Sequence, residues 1–206
     1  MRTLFTSIIL LVSMSVNVKG QEIRQLPPPD RSLNVTLFEA LEKRRSDREF
    51  DSSKSISDQQ LSQLLWSACG VNRQEEKRLT IPTAINAQDI QVYVCTKDGV
   101  SLYIPLDNTL LEVTKEDIRG FLTERQQNMK NAPLFLLIVS NQNKFRGHGE
   151  IYGAMDAGYA SQNICLMCAA LGLKTVPRAM MNKDEVKKAL HLGDNMELEL
   201  NHPIGY

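Results

Sequence analysis

Leu134-Phe135-Leu136-Leu137-Ile138-Val139 is a run of six apolar residues with no polar residue at alternate positions. A strand turns successive side chains to opposite faces, so a strand with one wet face would alternate. The run therefore reads as a strand covered on both sides, at the centre of a sheet. Before it, Ile90 to Cys95 and Val100 to Leu106 are β-rich runs joined by Thr96-Lys97-Asp98-Gly99, a hairpin signal. After it, Tyr152 to Leu171 is rich in Ala and apolar nearly all round, which predicts a long buried helix stopped by Gly172. Asn182 caps a short helix carrying Glu185, Val186 and Leu190, stopped by Gly193, and Glu197 to Ile204 reads as a last strand.

Further out, Asn34 or Thr36 caps a helix through Leu37, Ala40 and Leu41 to about Arg45. Ser57-Asp58-Gln59-Gln60 is a capping box that opens a helix with Leu61, Leu64, Leu65 and Ala68 inward, ended by Gly70. Thr114-Lys115-Glu116-Asp117 predicts another helix, to about Met129. A hairpin, a doubly covered strand and unevenly placed helices do not make a regular βαβ alternation. The fold class is α+β.

Of the 206 residues, 24 are basic and 24 acidic, and this balance excludes a broad electrostatic grip on nucleic acid. Four cysteines at this length do not make a disulfide scaffold. Arg2 followed by an uncharged stretch from Leu4 to Val18, with Lys19-Gly20 before Gln21, reads as a cleaved signal peptide over residues 1–20. The stretch is short for a membrane span, so no span is expected after cleavage. Removal of Arg2 and Lys19 leaves 22 basic against 24 acidic residues. The mature chain is expected outside the cytoplasm, periplasmic or secreted. Residues 21–33, with Pro27-Pro28-Pro29, read as an extended arm, and 34–206 as one domain.

Three segments carry chemistry. Arg44-Arg45-Ser46-Asp47-Arg48 offers guanidinium forks and a hydroxyl, and Arg44 and Arg48 share a face if the helix continues. By itself such a stretch reads first as a solvated helix end, its cations complementing the C-terminal dipole. Pro82-Thr83-Ala84-Ile85-Asn86-Ala87-Gln88 combines small residues, which let backbone approach a flat ligand, with two amides that offer donor and acceptor. Ala170-Leu171-Gly172-Leu173-Lys174-Thr175-Val176-Pro177-Arg178-Ala179 breaks a buried helix into a loop that can expose backbone N–H groups.

In this order the segments resemble the nitroreductase family of FMN-dependent oxidoreductases. Arg44 to Arg48 matches the family's R-x-S-x-R/K, and Pro82 to Gln88 its P-S-S-x-N-x-Q. Asn131-Ala132-Pro133, Gln162-Asn163, Ala170-Leu171-Gly172-Leu173 and the final Pro203-Ile204-Gly205-Tyr206 extend the likeness over about Leu37 to Tyr206. The chain also resembles the short branch that includes thiazoline and oxazoline oxidases. The resemblance implies a central, mostly antiparallel sheet flanked by helices in an intertwined homodimer, with FMN in the interface. It implies no catalytic side chain: flavin N5 carries hydride from NAD(P)H or another donor to a small nitroaromatic- or quinone-like acceptor in ping-pong order, and the protein supplies binding and electrostatics.

Carried over by position, Arg44, Ser46 and Arg48 hold the FMN phosphate and ribityl chain, with Arg48 near the flavin's N1–O2 edge; Arg45 occupies the motif's variable position. Pro82, Thr83, Ala84 and Asn86 reach the flavin of the partner subunit. Pro177, Arg178 and Ala179 line the ring, the last two through backbone donors, and Gln126 is the amide that contacts it. Two departures stand out: Arg178-Ala179-Met180-Met181 where the family usually carries glycine, and no cation after Tyr206 to complete the phosphate grip. They motivate an alternative, a flavin-sequestering protein without turnover.

Cys165 and Cys168 form C-x-x-C inside a predicted helix, where small buried thiols are the expectation and no metal site is. His148, His191 and His202 have no ligand spacing and read as solvated or loop histidines.

Overall fold

A computed structural model describes residues 22–124 and 126–206. The signal-peptide reading, 1–20, lies outside the described residues. The elements are β1 (Ile23–Gln25), α1 (Leu37–Lys43), α2 (Asp58–Cys69), β2 (Val71–Arg73), β3 (Arg78–Leu79), β4 (Ile90–Thr96), β5 (Gly99–Ile104), β6 (Thr109–Thr114), α3 (Arg119–Thr123), β7 (Leu134–Asn141), α4 (Gly149–Ala170), β8 (Lys174–Thr175), α5 (Lys183–Ala189) and β9 (Met196–Gly205). Seven strands form one sheet in the order β1-β6-β5-β4-β7-β9-β8, with every pairing antiparallel, and β2 and β3 form a small hairpin.

Strand β7 lies inside the sheet and sorts the core by alternate residues. Leu134, Leu136 and Ile138 meet Ile90, Val92 and Val94 of β4 beneath α2 and α4. Phe135, Leu137 and Val139 meet Tyr93 and Cys95 on the other face, under Ile118, Leu122, Val186 and Leu190. Both faces of the apolar run are therefore covered, as its composition predicts. The capping boxes form: Thr36 and Ser57 accept from the backbone N–H groups of Glu39 and Gln60, whose side chains return the contact. Asn182 caps α5 through Glu185 N–H.

Three differences from the sequence reading have physical causes. Thr109–Thr114 is a strand with no matching expectation from sequence. Asn108, with φ +52°, turns the chain so that Thr109 pairs with Ile104 and Leu111 with Leu102. The helix expected from Thr114 shrinks to α3 and a 3₁₀ turn at Gln127–Asn131, because Thr114 and Asp117 bond to nearby N–H groups of Glu116 and Arg119 and Glu124 leaves the helix at φ +46°. Helix α4, apolar nearly all round, is buried on one face only. Ile151, Met155 and Tyr159 form a bare stripe, 60%, 51% and 43% exposed.

The extended segment 22–33 is joined to the domain. Ile23–Gln25 pairs with β6, Leu26 is buried in the core, and the carbonyls of Pro27, Pro28 and Asp30 accept from Ser62, Gln59 and Gln63 of α2. Among the described residues no helix is long and apolar enough to cross a membrane.

Candidate active site

Helix α1 ends at Lys43. Arg44 is its C-cap at φ −60°, ψ 122°, and the chain continues beside β8, where Asp47 N–H donates to the Thr175 carbonyl at 3.0 Å. Arg44 and Arg48 thus do not share a helix face; they lie on a segment stitched to the sheet edge. Arg44 is half-buried and close enough to Cys165 of α4 for its charge to favour the thiolate, against the larger effect of burial, which raises that thiol. Arg45 is exposed and turns to Asp47, 3.4 Å from Nε to Oδ2. Ser46 and Arg48 are exposed. Among the described residues, the side chains of Arg44, Ser46 and Arg48 have no hydrogen-bond or ion-pair partner, so their donors remain available.

Arg48 is tied to the next segment, since its carbonyl accepts from Asn128 Nδ2 at 3.4 Å. Its charge also bears on Arg178, whose guanidinium is held below its ordinary pKa first by burial and then by Arg48. Arg178 is 7% exposed. Its Nε donates to Gln126 Oε1 at 2.8 Å, and its Nη1 to the Leu122 carbonyl at 2.8 Å and to Asn201 Oδ1 at 2.9 Å. Its backbone N–H donates to the Asn201 carbonyl at 2.9 Å. Neither its N–H nor its guanidinium is free to grip a ligand, in contrast to the backbone-donor role expected for it. What Arg178 does is orient Gln126: with Oε1 occupied, the amide is left with its Nε2 hydrogens to give. Pro177 and Ala179 flank it, both exposed. Segments 44–48, 126–128 and 175–179 therefore meet within one chain.

The Pro82–Gln88 turn lies elsewhere. Ala84 N–H donates to Asp156 Oδ2 of α4 at 2.9 Å. Asp156 precedes Cys165, the neighbour of Arg44, by nine residues, about 13 Å along a helix axis. Within the turn Ile85, Asn86 and Gln88 all have φ near +50°, a region costly for side-chain-bearing residues. Gln88 N–H donates to Thr83 Oγ1 at 3.0 Å, and Gln88 Nε2 to the Lys77 carbonyl at 2.9 Å. Pro82, Thr83 and Asn86 open on a hollow of about 280 Å³ that Arg73 and Arg78 also border. A larger cleft of about 720 Å³, between Arg24, Lys54, Thr96, Arg119 and Lys130, includes none of the expected site residues.

The four cysteines are free and buried, and burial pushes Cys69 up to about 12. His202 departs from expectation: it is wholly buried in β9, its Nε2 2.9 Å from Ser161 Oγ and its Nδ1 3.3 Å from Thr175 Oγ1. The histidine thus fastens β8, whose Thr175 carbonyl holds Asp47, to α4. Asn128, Asp156 and Asn201 support the site and carry no sequence signal of their own, because each is defined by a contact distant in the chain.

Two unpaired guanidinium groups and a hydroxyl beside a fixed amide donor fit a ligand with a phosphate and a heteroaromatic ring. A model of the nitroreductase family matches residues 41–206. A protein of Methanocaldococcus jannaschii with a provisional nitroreductase assignment is 30% identical over 171 residues, 77% of this chain and 85% of that one. The crystal structure of a protein from Ralstonia eutropha, likewise provisionally a nitroreductase, has a TM-score of 0.83 at 32% identity, covering 92% of this chain and 91% of its own. In fold alone, a chain of the Escherichia coli microcin synthetase McbBCD complex is also similar, with a TM-score of 0.69 at 18% identity over 98% of this chain and 84% of that chain. A match spanning the cationic segment, the sheet and the final strand makes the chain an oxidoreductase that belongs to the nitroreductase family.

Proposed function

We propose that this protein is an exported, homodimeric, FMN-dependent oxidoreductase. The observation that carries the reading is the set of unpaired donors on Arg44, Ser46 and Arg48 beside the oriented amide of Gln126. Arg44, Ser46 and Arg48 bind the phosphate and ribityl oxygens; Gln126, with Pro177 and Ala179, faces the ring. Arg48 adds positive charge where a reduced ring gathers negative charge, which favours reduction. The Pro82–Gln88 turn, about 13 Å along α4 from the cationic segment, reaches the ring bound mainly by the partner subunit. The bare stripe of Ile151, Met155 and Tyr159 gives that partner a surface to cover. Bound FMN would supply hydride acceptance at N5 from NAD(P)H and delivery to a nitroaromatic- or quinone-like acceptor in ping-pong order.

Purified protein should be yellow, bleach with dithionite or NAD(P)H, and release FMN on boiling. Arg44→Ala and Arg48→Ala should each weaken FMN binding roughly 10- to 100-fold, the loss of a charged hydrogen bond, with little change in the stability of the FMN-free fold. A colourless protein that does not take up added FMN sinks the reading. Flavin that binds but is reduced neither by NAD(P)H nor by another hydride donor leaves a flavin-sequestering protein instead.

A further inference from the structure

Asp89 is wholly buried just before β4, and Asp156 is buried on the inner face of α4. Asp89 Oδ2 accepts from Ser140 Oγ at 2.6 Å, and that oxygen accepts from Gln142 Nε2 at 3.1 Å. Asp89 Oδ1 has no donor among the described residues. Ser140 Oγ lies against α4, where a Cβ on Gly153 would stand 2.3 Å from it; Asp156, three residues on and buried on the same face, turns its carboxyl toward Asp89 and, through Oδ2, holds Ala84 N–H. Two ionised carboxylates facing each other away from water leave an oxygen unsatisfied and a repulsion uncompensated. One proton removes both penalties. Carried on Asp89 and donated to Asp156, it leaves the negative charge on the side chain that pins the turn. A further carboxylate, on β9, faces Asp89. Glu199, also with a buried oxygen lacking a donor, bears on Asp89, and Glu197 and Lys183 bear in turn on Glu199.

We propose that Asp89 and Asp156 are a proton-sharing positioning pair that keeps the Pro82–Gln88 turn in the shape that contacts flavin, so that loss of the shared proton loosens the turn. The inference rests on the reading of that turn as a flavin contact. Three left-handed residues, Ile85, Asn86 and Gln88, make the turn costly to hold, so it persists only where outside contacts fix it. The Ala84–Asp156 bond is its tie to α4. Burial foremost, and the neighbouring Asp156 carboxyl, push Asp89 up to about 6 against the Ser140 hydrogen bond. The turn is thus held at mildly acidic pH and loosens as pH rises through that value.

The test is FMN titration from pH 5 to pH 8 with wild type, Asp89→Asn and Asp156→Ala, together with hydrogen exchange at the Ala84 amide in FMN-free protein. The phosphate of FMN itself titrates near pH 6, so the wild-type profile is read against Asp89→Asn, where that contribution is the same. The amide in Asp89→Asn donates to Asp156 at every pH and accepts from Ser140. Relative to it, wild-type FMN affinity should fall about tenfold across the range, and Ala84 exchange should rise beyond the ordinary base-catalysed trend. Asp156→Ala should bind FMN about tenfold more weakly throughout and exchange Ala84 quickly. Superimposable profiles for wild type and Asp89→Asn, in affinity and in exchange, overturn the proposal; they decide it even if Asp156→Ala does not fold. If no protein binds FMN, the flavin reading fails with the turn's role in it, while Ala84 exchange alone still tells whether the pair holds the turn.

Discussion

Arg178 is the residue whose surroundings most change what its position implied. At an exposed loop position a guanidinium would serve as a loose surface cation; here burial and four bonds make it a bracket between α3, Gln126 and β9. Arg178→Ala leaves two carbonyls and two side-chain oxygens short of a donor and should cost about 3 kcal/mol, read from urea midpoints. Arg178→Lys should recover only part, since an ammonium cannot repeat the fork. His202 sets the acid limb of stability. Its ordinary pKa is near 6.5, and burial pushes it down to about 3. The unfolded chain binds its proton first as pH falls, so stability is intact above about 6.5 and is lost progressively toward 3. Asp89 and Glu199, raised to about 6 and about 7 by burial, act in the opposite sense: their contribution is present below about 4 and is lost as pH climbs through the raised values. Thermal midpoints against pH should therefore peak in the mildly acidic range, and His202→Gln should flatten the acid limb alone.

Among the elements, the β4–β5 hairpin and α4 make contrasting demands on glycine. Gly99 turns at φ +131°, and a Cβ there would stand 2.3 Å from the Thr114 carbonyl oxygen. Gly99→Ala should destabilise by about 2 kcal/mol, since overpacking and strain add. Gly158 is on the bare face of α4, where a Cβ would meet nothing within 4 Å in a single chain. Gly158→Ala should be neutral or slightly stabilising in a monomer, because alanine favours the helix by about 1 kcal/mol. The hairpin and the doubly covered β7 were legible in sequence because turn chemistry and an unbroken apolar run are local signals. Strand β6 was not: Thr109 to Thr114 becomes a strand through pairing with β5 and with β1. Helix α3 is five residues long, shorter than its start signals imply, because Thr114 and Asp117 bond to near neighbours instead of opening a long helix.

At the scale of the whole molecule, the bare stripe of α4 is the feature a single chain leaves unexplained. Ile151, Met155 and Tyr159, with small Ala154 and Gly158 on the same exposed face, form a helix surface suited to close packing against a second copy. Light scattering should give about twice the mass of one mature chain, and Met155→Glu should shift it toward the monomer and lower FMN content. The proposed export, with cleavage after Gly20, predicts Gln21 at the N-terminus by mass analysis.

The amino-acid sequence by itself determined the α+β class, the covered central strand, the helix caps and the cationic and amide-bearing segments, because each depends on residues within a few positions of one another. Only the tertiary structure decided that Arg44 and Arg48 lie on an extended segment against β8, that Arg178 faces inward to orient Gln126, and that Asp156 reaches the Ala84 turn. Those outcomes depend on burial and on partners dozens of positions away in the chain, and they appear only once the sheet brings its edges together.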